Sequence, residues 1–178
     1  MTPDEPDLIA RGMAGGDPNA FGELVRLHQS PVRRFLRHLT GGNEALADDL
    51  AQETFIRAYR GLSGFRARSR FQTWLLGIAY NQYRNAARRG RREVPASEAG
   101  PVPAPATEAL SDLEQDLAIS LRELSNEEQL ALRLSFQFEL THDEIAATLG
   151  WPLGTVKTQI ARGKSRLREL MSAWRPRP

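Results

Sequence analysis

The sequence predicts an all-α protein of two small helical domains joined by a proline-rich acidic linker. Three observations carry that prediction. Apolar residues recur at helical spacings along most of the chain, and no stretch alternates with period two long enough for a strand. Pro95, Pro101, Pro103 and Pro105 crowd one segment with Ala, Glu, Ser and Gly, a composition that neither buries apolar surface nor propagates a helix. Helix start signals stand on both sides of it. A semi-extended linker is therefore expected over 93–110, between domains over 1–92 and 111–178.

The elements follow in order. Asp17-Pro18 pairs a capping carboxylate with proline at the first helical position, opening a helix with Phe21, Leu24, Val25 and Leu27. Pro31 should break or kink it before Val32, Phe35, Leu36 and Leu39 continue the stripe. Gly41-Gly42 ends it and Asn43 caps a helix over about 44–61, with Leu46, Leu50, Phe55 and Tyr59 expected inside. A loop over 61–70 leads to a long helix over about 69–89, its core face drawn from Phe71, Trp74, Leu75, Ile78 and Ala79. After the linker a helix over 111–124 is expected. Ser125-x-x-Glu128 then forms a capping box that opens a helix through Leu130, Leu132, Leu134 and Phe138.

The segment from Thr141 to Arg162 reads as a helix-turn-helix. Thr141 and Glu144 form a second capping box, Ile145, Ala146 and Leu149 line one face, and Gly150 stops the first helix. Pro152 suits the first turn of a second helix, reaching about Ala173, whose apolar side carries Val156 and Ile160. Its other side offers Lys157, Thr158, Gln159 and Arg162, side chains that bond phosphates and base edges in a major groove.

Charge narrows the partners. Residues 1–92 hold 15 basic against 9 acidic side chains, residues 93–121 hold none against 6, and from Pro152 onward the count is 7 against 1. Two basic surfaces flank an acidic stretch, a distribution that points to a polyanion despite a net charge of only +2. The absence of cysteine excludes disulfides and thiolate metal sites and fits a reducing cytoplasm. The acidic start is not expected to be a signal peptide, and no apolar run nears the roughly 18 residues a membrane span needs. No metal or cofactor is expected: His28, His38 and His142 lie far apart, each a surface or partly buried helical residue, and no nucleophile or phosphate-loop motif occurs. The chain is thus read as a non-enzyme.

Two further constellations stand out. Asp48, Asp49, Gln52 and Glu53 crowd one helix with acidic and polar groups, which on an otherwise basic domain suits a protein partner better than DNA. From Gly64 to Arg92 aromatics sit among arginines, five of them between Arg84 and Arg92. Arginine neutralises phosphate and aromatic rings stack on unpaired bases, the composition wanted around a strand whose bases have left the duplex. Phe71 and Trp74 are the better candidates for the core.

At these stretches the chain resembles the bacterial sigma-70 superfamily, in particular its short extracytoplasmic function (ECF, group IV) sigma factors. Asp49-Leu-x-Gln-Glu-x-Phe is similar to the helix that docks on core RNA polymerase. Gly64-Phe-Arg, Phe71-x-Thr-Trp-Leu, Ile78-Ala and Asn81 resemble the promoter-melting and −10-reading segment, and Leu124-Ser-x-Glu-Glu, Glu144-Ile-Ala-x-x-Leu-Gly and Gly154-Thr-Val-Lys the −35-reading domain. The resemblance covers about residues 8–92 and 110–172.

The resemblance implies a cytoplasmic specificity subunit that binds core RNA polymerase and promoter DNA, is held by an anti-sigma regulator, and needs neither membrane insertion nor homo-oligomerisation. Asp48, Asp49, Gln52, Glu53 and Phe55 would face or support the polymerase contact. Phe65, Arg66, Arg68, Ser69 and Arg70, with Tyr80, Asn81, Arg84, Arg88 and Arg89, would serve the −10 DNA. Thr155, Lys157, Thr158, Gln159, Ala161 and Arg162 would serve the −35 element, and the acidic linker would thread near the active centre and RNA exit path. Gln159 stands where many relatives carry arginine and Tyr80 where they carry arginine or a similar residue, and the loop has Ala67, Arg68, Ser69 and Arg70 in place of the usual Gly and acidic residues, so promoter sequence is not transferable from a relative. The alternatives are a stand-alone dimeric helix-turn-helix regulator on a palindromic operator, or a sigma-like decoy for an anti-sigma protein.

Overall fold

A computed structural model describes residues 4–93, 117 and 119–172. The linker and the start of the helix expected over 111–124 lie outside the described residues, although 119–122 are helical. The chain divides into two compact units, and no strand occurs among the described residues.

The first unit holds α1 (Glu5–Gly15), α2 (Pro18–Leu39), α3 (Glu44–Gly61), a 3-10 turn at Leu62–Gly64, and α4 (Phe71–Glu93). The Asp17 carboxylate accepts the N–H groups of Asn19 and Ala20, filling the orphan donors at the start of α2. Pro31 does not break this helix. The buried stripe Leu24, His28, Val32, Phe35 and Leu36 keeps helical register across it, and packing on both sides offsets the one hydrogen bond that proline removes.

The packing of α3 corrects the sequence reading. Ala47, Leu50, Ala51, Thr54 and Ala58 form its buried face, whereas Leu46 and Tyr59 are exposed and Phe55 is half-buried. Small residues let α3 lie against both α2 and α4, and the bulky apolar ones fall off the 3.6-residue stripe. Thr54 is tolerated inside because its hydroxyl donates to the Leu50 carbonyl at 2.7 Å. The helix α4 begins at Phe71, two residues later than expected, and runs beyond Arg89 to Glu93.

The second unit contains α5 (Asn126–Phe136), α6 (His142–Leu149) and α7 (Leu153–Ser172). Both capping boxes form: Ser125 with Glu128, and Thr141 with Glu144. Gly150 ends α6 with φ +66°, a left-handed value that glycine adopts at no steric cost. Pro152 stands just ahead of α7, its carbonyl accepting the Val156 N–H. Val156, Ile160 and Gly163 bury one side of α7. A Cβ on Gly163 would lie 2.8 Å from Leu132 Cδ1, so the missing side chain sets the approach of α7 to α5.

Candidate nucleic-acid and partner interfaces

The acidic constellation on α3 is sorted by the fold. Asp48 turns toward α2, its Oδ1 3.3 Å from Arg33 Nε but not aligned as a hydrogen bond. Glu53 pairs with Arg57 at 2.8 Å and joins the wall of a groove toward α4. Asp49 and Gln52 are left exposed, one helical turn apart, with Ile56 a further turn along and 46% exposed. This surface therefore adds an apolar residue that the sequence reading missed. The alanines at 47, 51 and 58 were the signal, because the stripe they mark puts Ile56 outside.

The arginine-rich segment is built on three rings. Phe65 closes the 3-10 turn and Phe71 opens α4, and their rings meet edge-on at 5.4 Å and 86°. Trp74 lies 5.1 Å from Phe65 and 5.5 Å from Phe71. Phe65 is only 6% exposed. It holds the loop instead of presenting its face, as an apolar ring that has found two aromatic partners should. The five residues between the two phenylalanines form the outer loop: Arg66, Arg68 and Arg70 are exposed, Ser69 is half-buried, and Ala67 sits at φ +50°. The Arg70 carbonyl accepts the Trp74 N–H and starts α4.

Beside this cluster an open groove of about 690 Å³ runs between α3 and α4. Trp74, Ile78 and Gly61 give it an apolar wall, Asn81 and Gln82 amides, and Arg57 and Arg60 cationic edges. Gly61 has no side chain to fill it; a Cβ there would stand 3.7 Å from Trp74 Cζ2. Asn81 alone among them was named for DNA contact from sequence. Trp74 and Ile78 were expected in the core of the −10-like segment, and Glu53, Arg57 and Arg60 in a helix read as a partner face, and the α3–α4 packing joins them. Along α4, Asn81, Arg84, Arg88 and Arg89 are exposed. Tyr80 is buried, with the Arg84 guanidinium 5.8 Å above its ring, so it carries Arg84 and is not itself at the surface.

In the second unit α7 is anchored by Val156 and Ile160 and exposes Thr155, Lys157, Thr158, Ala161 and Arg162, with Gln159 half-buried. Positions 155, 158, 159 and 162 share one face. The Thr158 hydroxyl donates to the Gly154 carbonyl at 2.8 Å, leaving its lone pairs and methyl for an outside contact.

Among the described residues no group of three or more His, Cys, Asp or Glu is placed to hold a metal, and no helix is long and apolar enough to cross a membrane. His28, expected at the surface or partly buried, is buried, its Nε2 3.2 Å from a Glu5 oxygen.

A helical bundle with a cationic, ring-walled groove, followed by a capped helix-turn-helix, defines a two-domain DNA-binding protein of transcription. Residues 24–93 match Sigma-70 region 2 and residues 116–167 match Sigma-70, region 4. The ECF RNA polymerase sigma factor SigE of Mycolicibacterium smegmatis is 37% identical over 95% of this chain and 69% of that protein. ECF RNA polymerase sigma factor SigW of Bacillus subtilis is 34% identical over 86% of this chain and 90% of its own length. Among solved structures, the sigma factor RpoE with the anti-sigma factor NepR from Bartonella quintana shares 28% identity at TM-score 0.70, over 87% of this chain and 98% of that one. CnrH in complex with the cytosolic domain of CnrY shares 26% at TM-score 0.64, over 95% and 97%. The chain belongs to the ECF RNA polymerase sigma factors of the sigma-70 superfamily. It is a transcription initiation factor.

Proposed function

We propose that this sigma factor divides initiation among three surfaces. The exposed Asp49–Gln52–Ile56 face of α3, with Asp48 and Phe55 beside it, docks on core RNA polymerase. The groove between α3 and α4 takes a −10 base that has left the duplex: Trp74 offers a ring, Asn81 an amide that both donates and accepts, and Arg60 reaches a flanking phosphate. Arg66, Arg68, Arg70, Arg84, Arg88 and Arg89 hold the strand's backbone, while Phe65 and Tyr80 support them from inside. The exposed face of α7 reads the −35 element in a major groove.

The observation that carries this reading is the groove itself. An apolar wall, two amides, the Arg60 guanidinium and the Glu53–Arg57 pair meet at a gap that Gly61 keeps open. The exposed α3 face sets the Asp49 carboxylate beside the Gln52 amide and apolar Ile56, a mixture that suits a protein better than a phosphate backbone. An anti-sigma regulator is a further partner, supported by the two similar structures, one described as a sigma–anti-sigma complex. The protein works in the cytoplasm, where polymerase is, and contributes binding and not catalysis. A stand-alone dimeric regulator would leave the groove and the α3 face without a task.

The test is permanganate footprinting of −10 thymines with core polymerase. Asn81→Ala should cut promoter opening at least tenfold while polymerase binding and −35 duplex binding stay intact. Unchanged opening would remove the groove from the account.

A further inference from the structure

The helix α1 lies ahead of the region 2 match at residues 24–93, yet it touches both ends of the Phe65–Arg70 loop's scaffold. At the near end, Gly12 packs on Leu62. A Cβ on Gly12 would stand 2.6 Å from Leu62 Cδ2, and Leu62 is fully buried as the first residue of the 3-10 turn. The Leu62 carbonyl accepts the Phe65 N–H at 3.0 Å, so the position of Leu62 is passed to the first ring of the clamp. At the far end, a Glu5 carboxylate oxygen lies 3.2 Å from His28 Nε2. The His28 ring meets Phe71 edge-on at 5.3 Å, and Phe71 meets Phe65.

These contacts close a ring: Gly12, Leu62, Phe65, Phe71, His28, Glu5, and back along α1 to Gly12. The C-terminal end of α1 is fastened as well. Tyr59 Oη donates to the Gly16 carbonyl at 3.1 Å, and Arg11 pairs with Asp17 at 2.7 Å. An apolar side chain at position 28 would pack against Phe71 without help. A buried imidazole instead needs a polar partner, and α1 supplies it only when docked. The histidine thus makes the seating of Phe71 conditional on α1.

We propose that α1 is a strap that positions the Phe65–Arg70 loop and the Trp74 wall of the base groove, with Glu5 and His28 as positioning residues at one end and Gly12 on Leu62 at the other. The proposal rests on the reading of the α3–α4 groove as the base site. Undocking α1 leaves the acidic face of α3 and the −35 helix as they are, but loosens Phe65 and Phe71 and so the wall that Trp74 gives the groove.

The experiment uses the full chain with core RNA polymerase and compares Glu5→Ala, Glu5→Gln, Gly12→Ala and Gly12→Ala with Leu62→Val. Polymerase binding and permanganate reactivity at −10 are read on the same samples. The strap predicts that Glu5→Ala and Gly12→Ala lose opening about five- to tenfold with polymerase binding unchanged. Glu5→Gln, which still accepts the imidazole N–H, and the double variant, which makes room for the new methyl, should recover it. Opening that is unchanged in Glu5→Ala, or lost only in step with polymerase binding, overturns the proposal. If Gly12→Ala fails to fold, Glu5→Ala decides alone, since that carboxylate is partly exposed. Asn81→Ala separates the two readings: loss there without loss in Glu5→Ala sinks the strap only, and no loss there sinks the base site beneath it.

Discussion

Phe65 and Phe71 pinch the ends of a five-residue loop together, ring edge to ring face at 5.4 Å, although they stand six positions apart in the chain. The loop between them carries three arginines and Ser69 to the surface, while the rings and Trp74 stay packed beneath. A cationic loop would otherwise sample many conformations before meeting DNA, and that ordering cost would weaken capture. The pair removes part of it in advance.

Replacing Phe65 by Leu keeps an apolar side chain but deletes two ring contacts. Aromatic pairs are worth about 0.5–1.5 kcal/mol each beyond burial. Urea unfolding should therefore show a loss of about 1–3 kcal/mol, with promoter opening falling further than polymerase binding. A variant as stable as the parent would show that the rings are neighbours without being a clamp.

Ala67 holds φ +50°, a left-handed conformation that costs an L residue about 1–2 kcal/mol. Ala67→Gly removes that strain and adds unfolded-state entropy worth about 0.4–1 kcal/mol in the opposite direction. A net gain near 0.5 kcal/mol is expected in the urea midpoint, and Ala67→Val should lose stability. A clear loss on Ala67→Gly would mean that the loop is not strained there.

Burial pushes the His28 imidazole below its ordinary value, and the Glu5 carboxylate raises it only partly back. The unfolded chain then binds the proton more readily than the native one, so stability rises with pH across this window. The penalty is absent above about pH 6.5, the unperturbed value, grows as pH falls toward the depressed native value, and then levels off. Urea midpoints between pH 7.5 and 5 should fall for the parent and fall less for His28→Leu. Parallel slopes would assign the pH dependence to other groups.

Much of this was legible in the sequence. Both capping boxes, the Asp17 cap and the Gly150 stop are encoded by neighbours within four residues, and all four form. The small-residue face of α3 was not legible by bulk, because Leu46 and Tyr59 outweigh three alanines in any reading that looks for large side chains. The course of α2 through Pro31 was lost for a similar reason: a local rule was outweighed by a stripe continuous on both sides. The groove lay further out of reach. It joins Arg57, Arg60 and Gly61 to Trp74, Ile78 and Asn81 across the α3–α4 interface, and no spacing along the chain reports that pairing.

Arg162 stands exposed on the α7 face opposite the buried Val156 and Ile160. As a base reader, Arg162→Ala should cost about 1–3 kcal/mol on promoters carrying the preferred −35 base and little on those lacking it. Competition binding against a panel of −35 variants measures this. A uniform loss across the panel, with a smaller salt slope, would make Arg162 a phosphate contact.

The most direct test of the central claim is run-off transcription by core RNA polymerase on promoter fragments, including the gene's own upstream region, with and without this protein. Initiation should require both components and disappear when Asp49→Ala and Gln52→Ala remove the exposed face of α3, while −35 duplex binding by the variant survives. Specific footprints by the protein alone, with no initiation added to core polymerase, would contradict a sigma factor working through that face.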